Sequence, residues 1–140
     1  MAGMSNNDAL APVVGSQPVC FNEASRIARF LEAENAEDVW MIDISVRSGF
    51  ADYFLIGTAA SFGQLRGLVR NLDEQLAALG IHVKGTKRTV TEDDNWVLID
   101  CGDFIVHLMT KPAREFYALE RLWFDCPRVN PADGSVIPRA

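Results

Sequence analysis

Basic residues are scarce in this chain. Thirteen Lys and Arg stand against 19 Asp and Glu, a formal net charge of −6 over 140 residues. Phosphate binding rests on a surplus of cations, so the chain as a whole is a poor candidate for direct nucleic-acid binding. An acidic balance suits a basic protein partner, because opposite fields speed encounter. No Lys or Arg precedes Arg26, so the expectation is neither a secretory nor an Arg-rich transit leader. No apolar run approaches the roughly 20 residues that a membrane-spanning helix needs. Cysteine is limited to Cys20, Cys101 and Cys126, with no Cys-x-x-Cys spacing. An odd and dispersed set reads as buried thiols in a reducing compartment. His82 and His107 are too scattered to complete a metal site. What remains, 49% hydrophobic and 23% charged, is one cytoplasmic globular domain with no cofactor or metal.

Residues 1–18 are small, polar and punctuated by Pro and Gly, and read as an N-terminal tail. "FNEASRIARFLEAENAED" follows as a helix capped by Asn22 or a neighbour, with Ala24, Ile27, Ala28 and Leu31 at helical spacing. "VWMIDIS" and "ADYFLIGT" predict an antiparallel hairpin near 39–45 and 51–57 around a Ser-Gly turn. The next helix starts at Ser61, an N-cap residue, and stops at Gly80. Its apolar face is Leu65, Leu68, Leu72, Leu76 and Leu79, and Gly63 and Gly67 are read as points of close approach to the sheet. "IHVKGT" predicts a strand and 87–95 a charged loop. "NWVLIDC" and "FIVHLM" predict two strands joined by a tight turn at Gly102-Asp103. Thr110 and Pro112 open a helix over 112–124. Residues 127–140, with three prolines, read as a C-terminal tail. The order α-β-β-α-β-β-β-α predicts an α/β domain over 19–126, with a mixed sheet of about five strands flanked by helices.

Side chains alternate across a strand, and this divides the last two. Val97, Ile99, Phe104, Val106 and Leu108 form an apolar set that fits under helices. Trp96, Leu98, Asp100, Ile105, His107 and Met109 form a mixed set. An unpaired carboxylate is rarely buried, so this second face reads as a surface for a partner. A plainer reading fits too: Trp96 covers a sheet edge, and Asp100 pairs with His107. On the closing helix, Phe116, Leu119 and Trp123 are expected in the core. Arg114, Tyr117 and Arg121 lie on a neighbouring stripe, and aromatic and Arg side chains suit interfaces.

Three blocks now become specific: "DYFLIGTAAS" (52–61), "WVLIDCGDFIVHLM" (96–109) and "REFYALERLW" (114–123). Together they resemble the Iojap-type ribosomal silencing factors, over about residues 20–125. The matching pattern is a Trp, an Asp and a Gly, a His, then Arg-x-Phe-Tyr-x-Leu-Glu-x-Leu-Trp. One departure is the loop 84–95, which lacks the Glu-Gly pair that members carry. The resemblance implies a nucleotidyltransferase-like fold without an enzymatic role. It implies docking on the large-subunit ribosomal protein numbered fourteen, a block on joining of the small and large subunits, and repression of translation. It also implies a homodimer when free. On this reading the partner-binding residues are Trp96, Leu98, Asp100, His107, Met109, Arg114 and Tyr117.

Two rival functions follow from the same features. A nucleotidyltransferase-like enzyme would need carboxylates converging on Mg²⁺. Asp100 and Asp103 diverge across a turn, and Glu92, Asp93 and Asp94 sit in a loop. A ribosome-assembly adaptor that touches RNA would use Lys84, Lys87 and Arg88, but the three acidic residues of the same loop offset that cluster.

Overall fold

The computed structural model describes residues 18, 20–85 and 90–138. The elements are α1 (Phe21–Ala33), β1 (Glu37–Asp43), β2 (Tyr53–Ala59), α2 (Phe62–Ala78), β3 (Trp96–Asp100), β4 (Phe104–Thr110), α3 (Lys111–Tyr117), α4 (Leu119–Leu122), β5 (Arg128–Val129) and β6 (Val136–Ile137). The fold is α/β, with a six-stranded sheet in the order β3-β4-β2-β1-β5-β6. β2 and β4 are parallel, and every other neighbouring pair is antiparallel. β2 lies between β4 and β1, and all seven of its residues are buried. Its near-continuous apolar run "YFLIGTA" is what burial on both faces demands.

One face of the sheet packs under α1 and α2. Ala24, Ile27, Ala28 and Leu31 of α1 and Leu65, Leu68, Leu72 and Leu76 of α2 are all buried in one core with Leu55, Val97, Val106 and Leu108. The expected N-cap at Ser61 is present, its side chain accepting from the Gln64 N–H. Gly80 follows the helix at φ +73°, the left-handed stop that glycine adopts without strain. Gly57 is the glycine that close packing requires. A Cβ there would sit 3.4 Å from the Leu108 side chain and 3.5 Å from that of Ala36.

The structure departs from the sequence-based expectations in several places. Cys20 stands at the N-cap of α1 and makes no side-chain capping bond, so Asn22 has no such role. A Cβ at Gly67 would meet nothing within 4 Å, and one at Gly63 only Ser61 Oγ at 3.9 Å; neither marks a close approach to the sheet. "IHVKGT" makes a single bridge, Lys84 to Asp100, in place of a strand. The expected N-terminal tail falls almost wholly outside the described residues. Within the expected C-terminal tail, β5 and β6 form a short hairpin that extends the sheet beyond β1, and the Asp43 N–H donates to the Pro127 carbonyl at 2.9 Å.

The largest departure is the closing helix. Thr110 caps it as expected, accepting from the Ala113 N–H at 3.4 Å. The helix then breaks at Ala118, which is left-handed at φ 46°, ψ 51°. That break sends α4 and the segment after it back across the second face of the sheet. Leu119 and Cys126 join Ile42, Ile44, Phe54, Ile56, Ile105 and Met109 in a second core, with Trp40, Trp96 and Trp123 packed at its margin. The mixed face is therefore largely interior.

Candidate functional site

The seven candidate residues separate into four groups. Met109 is fully buried and Arg114 is 5% exposed. Met109 belongs to the second core, and Arg114 is buried among the polar partners Asp38, Thr58 and Glu120, so neither lies on the exposed surface where the sequence reading set it. Asp100 is spent locally: its Oδ1 accepts from the Gly102 N–H at 2.9 Å, holding the turn where Gly102 adopts φ +88°. It makes no pair with His107. Trp96, Leu98 and Tyr117 do come together at the surface. Leu98 is 48% and Tyr117 42% exposed, and the Trp96 and Tyr117 rings lie 4.8 Å apart.

His107 sits beneath this group at 3% exposure. In the β3–β4 register Leu98 is opposite His107 and Trp96 opposite Met109, so Trp96 and His107 are diagonal neighbours on one face. The Trp96 indole N–H donates to His107 Nδ1 at 3.0 Å. Burial holds the imidazole neutral, lowering its pKa from the ordinary 6.5 to about 4.

Phe116 was expected in the core and is instead 80% exposed. It meets Tyr117 edge-on at 5.0 Å. The spacing of Phe116, Leu119 and Trp123 assumes one continuous helix, and the break at Ala118 removes that register. Beyond His107 the aromatic contacts continue. Phe54 is T-shaped to His107 at 4.6 Å and to Trp123 at 4.9 Å, and Phe50 meets Trp123 at 6.4 Å. Val46, Phe50, Leu122 and Phe124 are also exposed apolar residues, which the sequence reading missed. The available signal was Phe50 directly after the Ser48-Gly49 turn.

Arg114 is the polar centre of the α3–α4 joint. Its Nη1 donates to the Asp38 carbonyl at 2.8 Å and to Thr58 Oγ1 at 2.7 Å. Its Nε lies 3.2 Å from both carboxylate oxygens of Glu120. A cleft of about 280 Å³ opens beside it, with Asp38, Lys111, Glu115 and Arg121 among its walls. Cations and carboxylates alternate there, so it has no single charge preference. Among the described residues no group of three or more His, Cys, Asp or Glu could hold a metal ion. No helix of the described residues is long and apolar enough to cross a membrane. Burial pushes the Cys20 and Cys101 thiols up to about 12, which removes the thiolate that reactivity needs.

Comparison with known proteins places this arrangement. The profile of the family described as "Ribosomal silencing factor during starvation" matches residues 20–139. Ribosomal silencing factor RsfS of Treponema pallidum is 40% identical over 103 residues, 74% of this chain and 91% of that protein. RsfS of Bacillus subtilis is 39% identical over 94 residues, 67% of this chain and 78% of that one. A mouse protein named "Mitochondrial assembly of ribosomal large subunit protein 1" is 32% identical over 98 residues, 69% of this chain and 43% of its own length. A Bacillus halodurans crystal structure superposes with a TM-score of 0.64 at 32% identity, covering 77% of this chain and 97% of that one. With the family match running from the first helix through the C-terminal hairpin, the chain belongs to the RsfS family of ribosomal silencing factors.

Proposed function

We propose that this protein lowers translation by docking on the large ribosomal subunit, at a basic protein on the face where the small subunit joins. The partner that the resemblance implies is the large-subunit protein numbered fourteen. The observation that carries the reading is the exposed Leu98, Phe116 and Tyr117 beside a half-buried Trp96, an aromatic surface on an acidic domain. Interface energy concentrates in such aromatic anchors, and the charge of the chain favours a basic partner. Docking there would hold the subunits apart by steric exclusion, so the factor acts by occupancy, without catalysis, in the cytoplasm. A homodimer using part of the same surface when free fits this reading.

The test is sedimentation with purified large subunits and a subunit-joining assay, comparing wild type with Trp96→Ala and Tyr117→Ala. Each variant is expected to stay folded and to lose about 2 kcal/mol of binding, roughly thirtyfold. Wild-type binding by both would move the interface elsewhere. A second reading follows from the name of the mouse relative. On that reading the protein docks on the large subunit during its assembly. Binding to assembly intermediates but not to mature subunits would favour it.

A further inference from the structure

We propose that His107 is a positioning residue for docking: by accepting the indole N–H of Trp96 it fixes the orientation in which Trp96 meets the partner. This rests on the reading that Trp96 docks. Trp96 is half-buried at the start of β3, with Tyr117 on one side and solvent on another. His107 lies beneath it, with ring centroids 5.8 Å apart and the 3.0 Å bond between Nε1 and Nδ1.

The chemistry of His107 argues for a role beyond filling space. At 3% exposure, a Leu or Phe would occupy the site without desolvating polar atoms. The imidazole buries two nitrogens, and its Nε2 has no hydrogen-bond partner among the described residues. The bond to Trp96 is the one polar contact that the ring makes among them. Since Nδ1 accepts, the proton of the neutral ring is on Nε2, and the tautomer is set by Trp96 itself. Phe54 packs edge-on at 4.6 Å and fixes the ring from the other side. A half-buried indole tied in this way loses less side-chain freedom on binding than an untethered one.

His107→Phe keeps volume and apolar packing while removing the acceptor. It is expected to weaken large-subunit binding between about threefold and tenfold. His107→Asn, whose Oδ1 can take the place of Nδ1, is expected to recover most of that loss. In a Trp96→Phe background, which has no indole N–H, His107→Phe is expected to add nothing. On the wild-type protein, NMR should show the Trp96 indole N–H protected from solvent exchange and His107 Nδ1 unprotonated at neutral pH. This last reading stands even if His107→Phe fails to fold.

The proposal is overturned if folded His107→Phe binds as wild type, if its loss is undiminished in Trp96→Phe, or if the wild-type indole N–H exchanges freely. Weakened binding by Trp96→Ala beside full binding by His107→Phe removes the positioning role alone. Full binding by Trp96→Ala removes the docking reading and the positioning role together.

Discussion

Arg114 and Glu120 hold each other across the left-handed residue Ala118, with Arg114 Nε 3.2 Å from both oxygens of the Glu120 carboxylate. The pair brackets the break that turns α4 onto the second face of the sheet. Arg114 also ties this joint to β1 through the Asp38 carbonyl and to β2 through Thr58. Arg114→Met should therefore lower unfolding free energy by about 3 kcal/mol, the range for removing one partner of a buried pair. In a Glu120→Met background the loss caused by Arg114→Met should be smaller, since the contact between the two is already gone. Urea denaturation of the two single variants and the double variant checks this.

Ala118 itself gives a prediction of opposite sign. A left-handed alanine carries a strain of about 1–2 kcal/mol, and glycine adopts that conformation freely. Ala118→Gly should leave stability unchanged or raise it by up to about 1 kcal/mol, after the entropy cost of glycine. Ala118→Val should destabilise clearly, because a β-branched side chain is worse there. Thermal melts of both variants test the assignment of the break.

His107 sets the acid limb of stability. Its folded pKa is lowered from 6.5 to about 4 by burial, so the unfolded chain takes up the proton first. The stabilisation is fully present above about pH 6.5 and is lost as pH falls through that window towards 4. The full span is worth about 3 kcal/mol. His107→Phe should flatten the decline between pH 6.5 and 4, measured as unfolding free energy against pH. An unchanged slope would show that other groups dominate the acid limb.

Exposure and burial should separate cleanly within one strand. Val97 is 2% exposed and Leu98 48%. Val97→Ala should cost about 2 kcal/mol of stability through a core cavity while the folded fraction still binds. Leu98→Asp should melt near wild type and bind large subunits at least tenfold more weakly, roughly 1.4 kcal/mol.

The parts of this fold legible in the sequence are those whose pattern is local. Ser61, the leucines of α2 and Gly80 state a helix with both ends marked. The alternation of Val97 and Ile99 against Trp96 and Leu98 states two faces. What alternation could not supply is what lies against each face. That depends on Ala118, and alanine carries no sequence signal for a left-handed break. With the break unseen, Met109 and Arg114 read as surface and Phe116 as core. Asp100 misled for a related reason: its carboxylate is satisfied by the turn two residues on, so its polarity said nothing about the face beside it. The β5–β6 hairpin was hidden because strands of two residues among prolines look like loop until an open edge such as β1 pairs with them.

The parallel pairing of β2 with β4 also sets an order of assembly. Tyr53 aligns with Phe104, a separation of 104 − 53 = 51 residues. Loop closure must precede the gain from such pairing, so it forms late. Trp96, on β3, and Tyr117, beyond β4, both follow β2 in the chain, so the aromatic surface needs the chain through residue 117. A chain still emerging from the ribosome would thus present no aromatic surface until nearly all of it had been made.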